Sequence, residues 1–163
     1  MNHDVALLKD SLAELTRAYR SLIPLFHAER ESLQTRDAKG IEANAIKIGA
    51  ALHALAEQDR SRQEITLRLG RALGIGEENL SLSALDQALG GNTDLMALRK
   101  GLQEATAELD RVNRENRAIL EGLQLATDEI LSGVVKANRQ QNTYNRQGGR
   151  YGGAGGGFLS KHL

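Results

Sequence analysis

The sequence predicts an all-α protein: an antiparallel bundle of three long helices with coiled-coil-like packing, plus one short helix in the 70–93 connection. Two observations carry that reading. Leu, Ile, Val and Ala recur at alternating three- and four-residue steps through most of the 163 residues, the period of a helix face and not of a strand. Aromatic residues make up 3% and charged residues 26%, which suits an elongated helical bundle better than a large aromatic-lined core.

The longest regular stretch organises the rest. Leu95, Leu98, Leu102, Ala105, Leu109, Val112, Asn116, Ile119, Leu123, Ala126, Ile130, Gly133 and Ala137 keep the 3-4 repeat over the span 94–137. A repeat held for about six heptads is a coiled-coil signal. At 1.5 Å per residue the helix is about 65 Å long, and a rod of that length in water depends on burying its stripe against something. Asn116 interrupts the stripe with an amide. It is read either as a buried polar group that fixes register or as a ligand contact.

The first helix is expected over 4–35, on a seam of Val5, Leu8, Leu12, Leu15, Tyr19, Leu22, Phe26 and Leu33 with Glu29 as its polar break. Asp4 can cap its first turn. Pro24 removes a backbone donor and crowds the Arg20 carbonyl, so a bend is expected there and not an end. Leu7, Ile23 and Leu25 lie off the seam and widen the apolar face enough for two neighbours.

A short turn with Asp37 as cap leads to a second helix over 38–69, carried by Ile41, Ala45, Ile48, Leu52, Leu55, Ile65 and Leu69. The short turn makes the two helices antiparallel neighbours. The middle of the second, 57–64, is polar on every face and reads as solvated or ion-paired. Glycines at 70, 74, 76, 90 and 91 then break the pattern. Ser83 and Asp86 are expected to cap a short helix there, with Leu80, Leu82, Leu85 and Leu89 covering one end of the bundle. Thr93 is expected to cap the long helix. Gly101 and Gly122 sit beside its seam, either to admit a close neighbour or as surface glycines.

Charge divides the chain. The total is zero, yet no acid follows Glu129, while Lys136, Arg139, Arg146, Arg150 and Lys161 do. Residues 130–163 are therefore +5 and residues 1–129 −5, and this asymmetry marks 138–163 as a separate Gly-rich basic tail attached to a bundle at 1–137. The tail is too poor in apolar residues to offset its ordering entropy and is expected to be disordered when free. The long helix is also expected to outrun its partners, so that Ile130, Leu131, Val134 and Val135 have no obvious cover within the chain. An uncovered strip of this kind suits an amphipathic helix from another protein.

Catalytic and metal chemistry find little purchase. His3, His27, His53 and His162 share no ligand spacing, Cys is absent, and neither a phosphate-binding loop nor a nucleophile elbow occurs. The reading is therefore a non-enzyme with no cofactor and no metal site. The Met1-to-Leu15 stretch lacks the basic start and apolar run of a signal peptide, and no segment is apolar enough to insert in a membrane, so the expected setting is cytoplasmic. The unit Gly148-Gly149-Arg150-Tyr151-Gly152-Gly153 resembles an RNA-binding RGG segment. It stands alone without a folded RNA platform, and a solubilising tail or a segment that orders on a protein partner is favoured over nucleic acid.

Leu69-Gly70 and Leu73-Gly74-Ile75, the Leu-rich insert of Leu80, Leu82 and Leu85, and Asn113-x-x-Asn116 followed by Leu120 come in a particular order. Glu29 to Leu33, Asp37 and Lys47 precede them, and Thr143-Tyr144-Asn145 followed by Gly148 comes after. This ordered set resembles the FlgN-type flagellar export chaperones over most of residues 5–150. The resemblance implies a cytoplasmic chaperone that holds hook–filament junction proteins of the FlgK and FlgL type and delivers them to the flagellar type III export gate. It also implies client contact through Ile130, Leu131, Val134 and Val135, and gate contact through Tyr144, or through Tyr151 given the extra Gly-rich end. The rival readings are a coiled-coil adaptor that dimerises through the long helix and, behind it, RNA binding through the tail.

Overall fold

The computed structural model describes residues 2–91 and 93–147, with 138–147 as backbone only. All the regular structure among them is helical: α1 (Asn2–Thr35), α2 (Ala38–Ala72), a 3-10 turn (Glu77–Asn79), α3 (Leu82–Ala88) and α4 (Leu95–Gln147). None of these helices is long and apolar enough to cross a membrane. The chain divides into two compact units, Met1–Leu120 and Glu121–Leu163.

In the first unit the α1 seam is buried as its spacing predicts, with Leu8, Leu12, Leu15, Leu22, Phe26 and Leu33 inside. The helix runs through Pro24 without ending. Ile23 and Leu25, off the seam, pack against the cluster formed by Leu15, Leu22, Phe26, Ile48, Leu55, Leu109 and Val112. α1 therefore uses a broad face, as its extra apolar residues suggested. The ends of the helices fix their directions. Arg68 of α2 bridges to Asp4 of α1 at 2.8 Å, and Asn44 of α2 donates to Ser32 Oγ at 3.1 Å, so α1 and α2 run in opposite senses. Lys9 reaches Asp94, just before α4, at 3.4 Å, while Asn116 of α4 reaches Phe26. The first part of α4 thus runs in the same sense as α1.

Three helix ends share one device. Asp37 N–H donates back to the Ser32 carbonyl at 2.9 Å, Ile75 to Gly70 at 2.9 Å and Gly91 to Asp86 at 2.7 Å. The residue before each donor is left-handed: Arg36 at φ 55°, Gly74 at 71° and Gly90 at 95°. This is the six-to-one closure that satisfies orphan carbonyls at a helix end. Glycine adopts it without strain, whereas Arg36 carries a Cβ into the same region.

Several local expectations are corrected. The second helix runs on to Ala72, three residues past its expected end. Asp37 holds the position before α2, but its side chain makes no cap bond. Ser81, not Ser83, caps α3, because it has the extended backbone from which Oγ can accept the Ala84 N–H at 3.1 Å. Asp86 instead accepts from the Thr93 N–H at 3.3 Å and from the Thr93 hydroxyl. Thr93 Oγ in turn accepts the Leu95 N–H at 3.4 Å, so Thr93 does hold the first turn of α4. Asp94, at φ 60°, stands between them.

The seam of α2 holds at Ile48, Leu55, Ile65 and Leu69 and departs from the expected one at two positions. Ala45 and Leu52 are exposed, and Asn44, Ile48, Ala51, Leu55 and Leu69 face inward. Asn44 is buried at no cost in unmet hydrogen bonds because Ser32 Oγ accepts from its amide. The polar middle is ion-paired along the helix, Arg60 to Glu57 at 2.6 Å and Arg62 to Asp59 at 2.8 Å.

The connection after α2 behaves as its leucines predict. Leu80, Leu82 and Leu89 pack against a second cluster of Leu8, Leu12, Leu69, Leu85 and Leu95. Gly70 makes room for this: a Cβ there would stand 2.6 Å from Leu80 Cδ1. A Cβ on Gly101 or Gly122 would meet nothing within 4 Å, so those two are surface glycines. The long helix continues to Gln147, past the expected boundary at 137.

Candidate protein-docking surface

The surface is built on α4. Within the first unit its stripe is used up: Leu95, Ala105, Leu109 and Val112 are buried, and Leu98 and Leu102 are half-buried against the two clusters. The stripe closes on Asn116, 3% exposed. Its Nδ2 donates to the Phe26 carbonyl at 2.7 Å and to Glu29 Oε2 at 2.8 Å, and its Oδ1 accepts from Arg30 Nε at 3.0 Å. The polar breaks in two separate seams, Glu29 and Asn116, therefore face each other. Among the described residues no buried side-chain nitrogen or oxygen lacks a partner.

A charged chain extends outward from that amide. Arg30 Nη2 donates to Glu115, Arg111 pairs with Glu115 at 2.6 Å and with Glu108 at 2.7 Å. The hydrogen bond from Arg30, helped by Arg111, holds the Glu115 carboxyl below its ordinary value. Arg111 does the same to Glu108. At the other end of α1, partial burial pushes Asp4 up, but the hydrogen bond and charge of Arg68 outweigh it and its pKa falls. Sequence reasoning found Asn116 and Glu29 singly. It missed Arg30 and Glu115, which have no apolar spacing to betray them and become partners only through the register between α1 and α4.

In the second unit the helix carries a different surface. Ile130, Leu131, Val134 and Val135 are 65, 57, 53 and 50% exposed. At 3.6 residues per turn, positions 130 and 134 form one row and 131 and 135 the next, so the four side chains make one contiguous apolar strip. Leu123 and Thr127 continue the first row toward the start of the unit. Leu123 belongs to the expected 3-4 stripe as well, although only the four residues from Ile130 to Val135 were singled out as the docking strip. Asp128 lies one heptad before Val135 and borders the strip on that row. Glu129 and Lys136 lie on the opposite side of the helix, and Ser132, three residues before Val135, borders the strip. A strip of aliphatic side chains flanked by charge can bury an amphipathic helix.

The structure brings Ile130, Leu131, Val134 and Val135 together and leaves Asn116 apart from them, its amide engaged with α1. Tyr144 lies in the helical backbone of α4, with its side chain outside the described residues. Tyr151 and the rest of 148–163 lie outside them altogether. No group of three or more His, Asp or Glu side chains suited to a metal ion occurs among the described residues.

Comparison with known proteins gives one family. Its model, described as FlgN protein, matches residues 1–152. No curated protein and no solved structure gives a match. With so much of the sequence covered, the chain belongs to the FlgN family of flagellar chaperones.

Proposed function

We propose that this protein is a cytoplasmic export chaperone that binds hook–filament junction proteins of the FlgK/FlgL type and delivers them to the flagellar type III export apparatus. The client's amphipathic terminal helix lies on Ile130, Leu131, Val134 and Val135. The single observation that carries the reading is the exposure of all four side chains by half or more. Contiguous exposed aliphatic surface on a helix is a docking face or a liability, and a chaperone gives it an occupant. Asn116 acts as the register residue between α1 and α4, supported by its three hydrogen bonds to α1. Tyr144, or Tyr151, meets the export gate. The architecture that goes with this reading is a three-long-helix bundle over 1–137, α2 antiparallel to the other two, with 138–163 as its tail.

Co-expression with junction-protein terminal helices followed by size exclusion tests the proposal. Co-elution with the wild type, and loss of it with Ile130→Asp or Val134→Asp at unchanged helicity, is the expected result. Soluble clients that fail to co-elute overturn it. Tyr144→Ala should leave co-elution intact and reduce client export; if Tyr151→Ala does so instead, the gate role belongs to Tyr151. Light scattering that gives a tight dimer, abolished by Val134→Asp, would favour the adaptor reading.

A further inference from the structure

We infer that α2 carries a second interface: its outward face binds the same face of a second copy of this chain, the two helices running antiparallel about a two-fold axis level with Ala51. The inference is independent of the client reading and uses no residue of the 130–135 strip. Between residues 41 and 56 the only charged side chains are Glu42 and Lys47. The inward side of that stretch is spent on Ile48, Ala51 and Leu55, which pack into the first cluster. Its other side is open and still apolar. Ile46 is 67% and Leu52 42% exposed, with Ala45, Gly49, Ala50 and Ala56 exposed around them. A helix that is apolar on both sides calls for cover on both sides. Nothing in α1 or α4 explains the glycine among these residues, since a Cβ on Gly49 would meet nothing within 4 Å.

The face is complementary to itself. Glu42, Ile46, Gly49, His53, Ala56 and Arg60 follow one another at alternating four- and three-residue steps, all of them exposed, and the order of steps reads the same from either end. Antiparallel pairing about residue 51 therefore sets Glu42 against the partner's Arg60, Ile46 against the partner's Ala56 and Gly49 against the partner's His53. Symmetry makes each pair twice. Opposite charges meet at the two ends, and a large side chain meets a small one in each layer between, which lets the helices interdigitate. Leu52 lies on the flank nearest the axis, where it meets the partner's Leu52 and both gain cover. A parallel pair would set Glu42 on Glu42 and Arg60 on Arg60, and like charges so placed repel. Arg60 now pairs with Glu57 at 2.6 Å, but both side chains are more than half exposed, and a pair of that kind holds too weakly to prevent the exchange. A foreign helix would match this order by accident, whereas a second copy matches it by symmetry. The contact runs about 27 Å along the helix, which is small for a stable interface and gives a dimer in the micromolar range.

Sedimentation velocity of the full chain at low salt tests the inference. The wild type should pass from monomer to dimer as its concentration rises through the micromolar range. Ile46→Asp should abolish the dimer at unchanged helicity, and Val134→Asp should leave it intact. Glu42→Lys sets like charges together at both ends of the antiparallel pair, and so does Arg60→Glu, so each alone should weaken the dimer about tenfold. Mixed in equal amounts, the two variants regain opposite charges at both ends and should form a heterodimer of wild-type strength. Both substitutions in one chain should restore the homodimer in the same way. A chain that stays monomeric to millimolar concentration overturns the inference, and so does a dimer that survives Ile46→Asp or dissolves with Val134→Asp. Single charge variants that dimerise as well as the wild type overturn it too, because the antiparallel register requires their loss.

Discussion

Residues 95–116 and 123–135 of α4 carry apolar side chains at the same helical spacing, and they meet different surroundings. Leu95 and Val112 are sealed at 0% exposure, whereas Ile130 stands 65% open. A heptad repeat states that a helix needs cover and is silent on who supplies it. For the earlier stretch, α1, α2 and the 73–94 connection supply it. For the later stretch the proposed supplier is a client helix.

The two stretches should respond differently to one kind of substitution. Leu95→Ala opens a cavity in the second cluster and should cost about 3 kcal/mol in urea unfolding, while Ile130→Ala should stay within about 0.5 kcal/mol. Equal losses would mean that the strip is packed after all. Asn116→Ala takes a partner from the Phe26 carbonyl and from Glu29, and should cost about 2 kcal/mol. A loss no greater than that of Ile130→Ala would mean that the amide network adds nothing to the sealed stretch. Gly101→Ala, with open space at its Cβ, should raise stability by up to about 1 kcal/mol. Gly70→Ala should lower it, because Leu80 has to move; a gain in both would show that Leu80 is not seated there.

The smallest effect is electrostatic. Glu115 and Glu108 have lowered pKa values in the folded protein. Their contribution is therefore present above the ordinary value of 4.5 and is lost as pH falls through the lowered values. The urea midpoint should drop as pH falls below the ordinary value of 4.5, and Glu115→Gln should shrink the drop. An unchanged drop would place the acid sensitivity elsewhere.

Much of this was legible in residue spacing, and the departures have physical reasons. α1 reads correctly because Leu8, Leu12, Leu15 and Leu22 leave one choice of face. α2 reads correctly at Ile48, Leu55 and Leu69 but not at 44–45, because Asn44 takes an inward position that a hydrophobic count assigns to Ala45. Only the Ser32 hydroxyl on the neighbouring helix makes that burial acceptable. Ser81 and Ser83 are equally good caps by type, and the backbone at Ser81 decides between them. The strip was visible as a continuation of the repeat, whereas the pairing of Glu29 with Asn116 needed the register between two helices far apart in sequence. The end of α4 was set too early because a change in composition was taken for a change in backbone.

Ile130, Leu131, Val134 and Val135 carry no polar atom outside a backbone already committed to its own helix. As a docking face they impose no direction, and a guest helix can lie along them in either sense. Discrimination between guests that differ by one methylene is then held to about ten- to 200-fold. A face of this kind accepts a range of cargoes, and preference among them has to be written in the charges along its border.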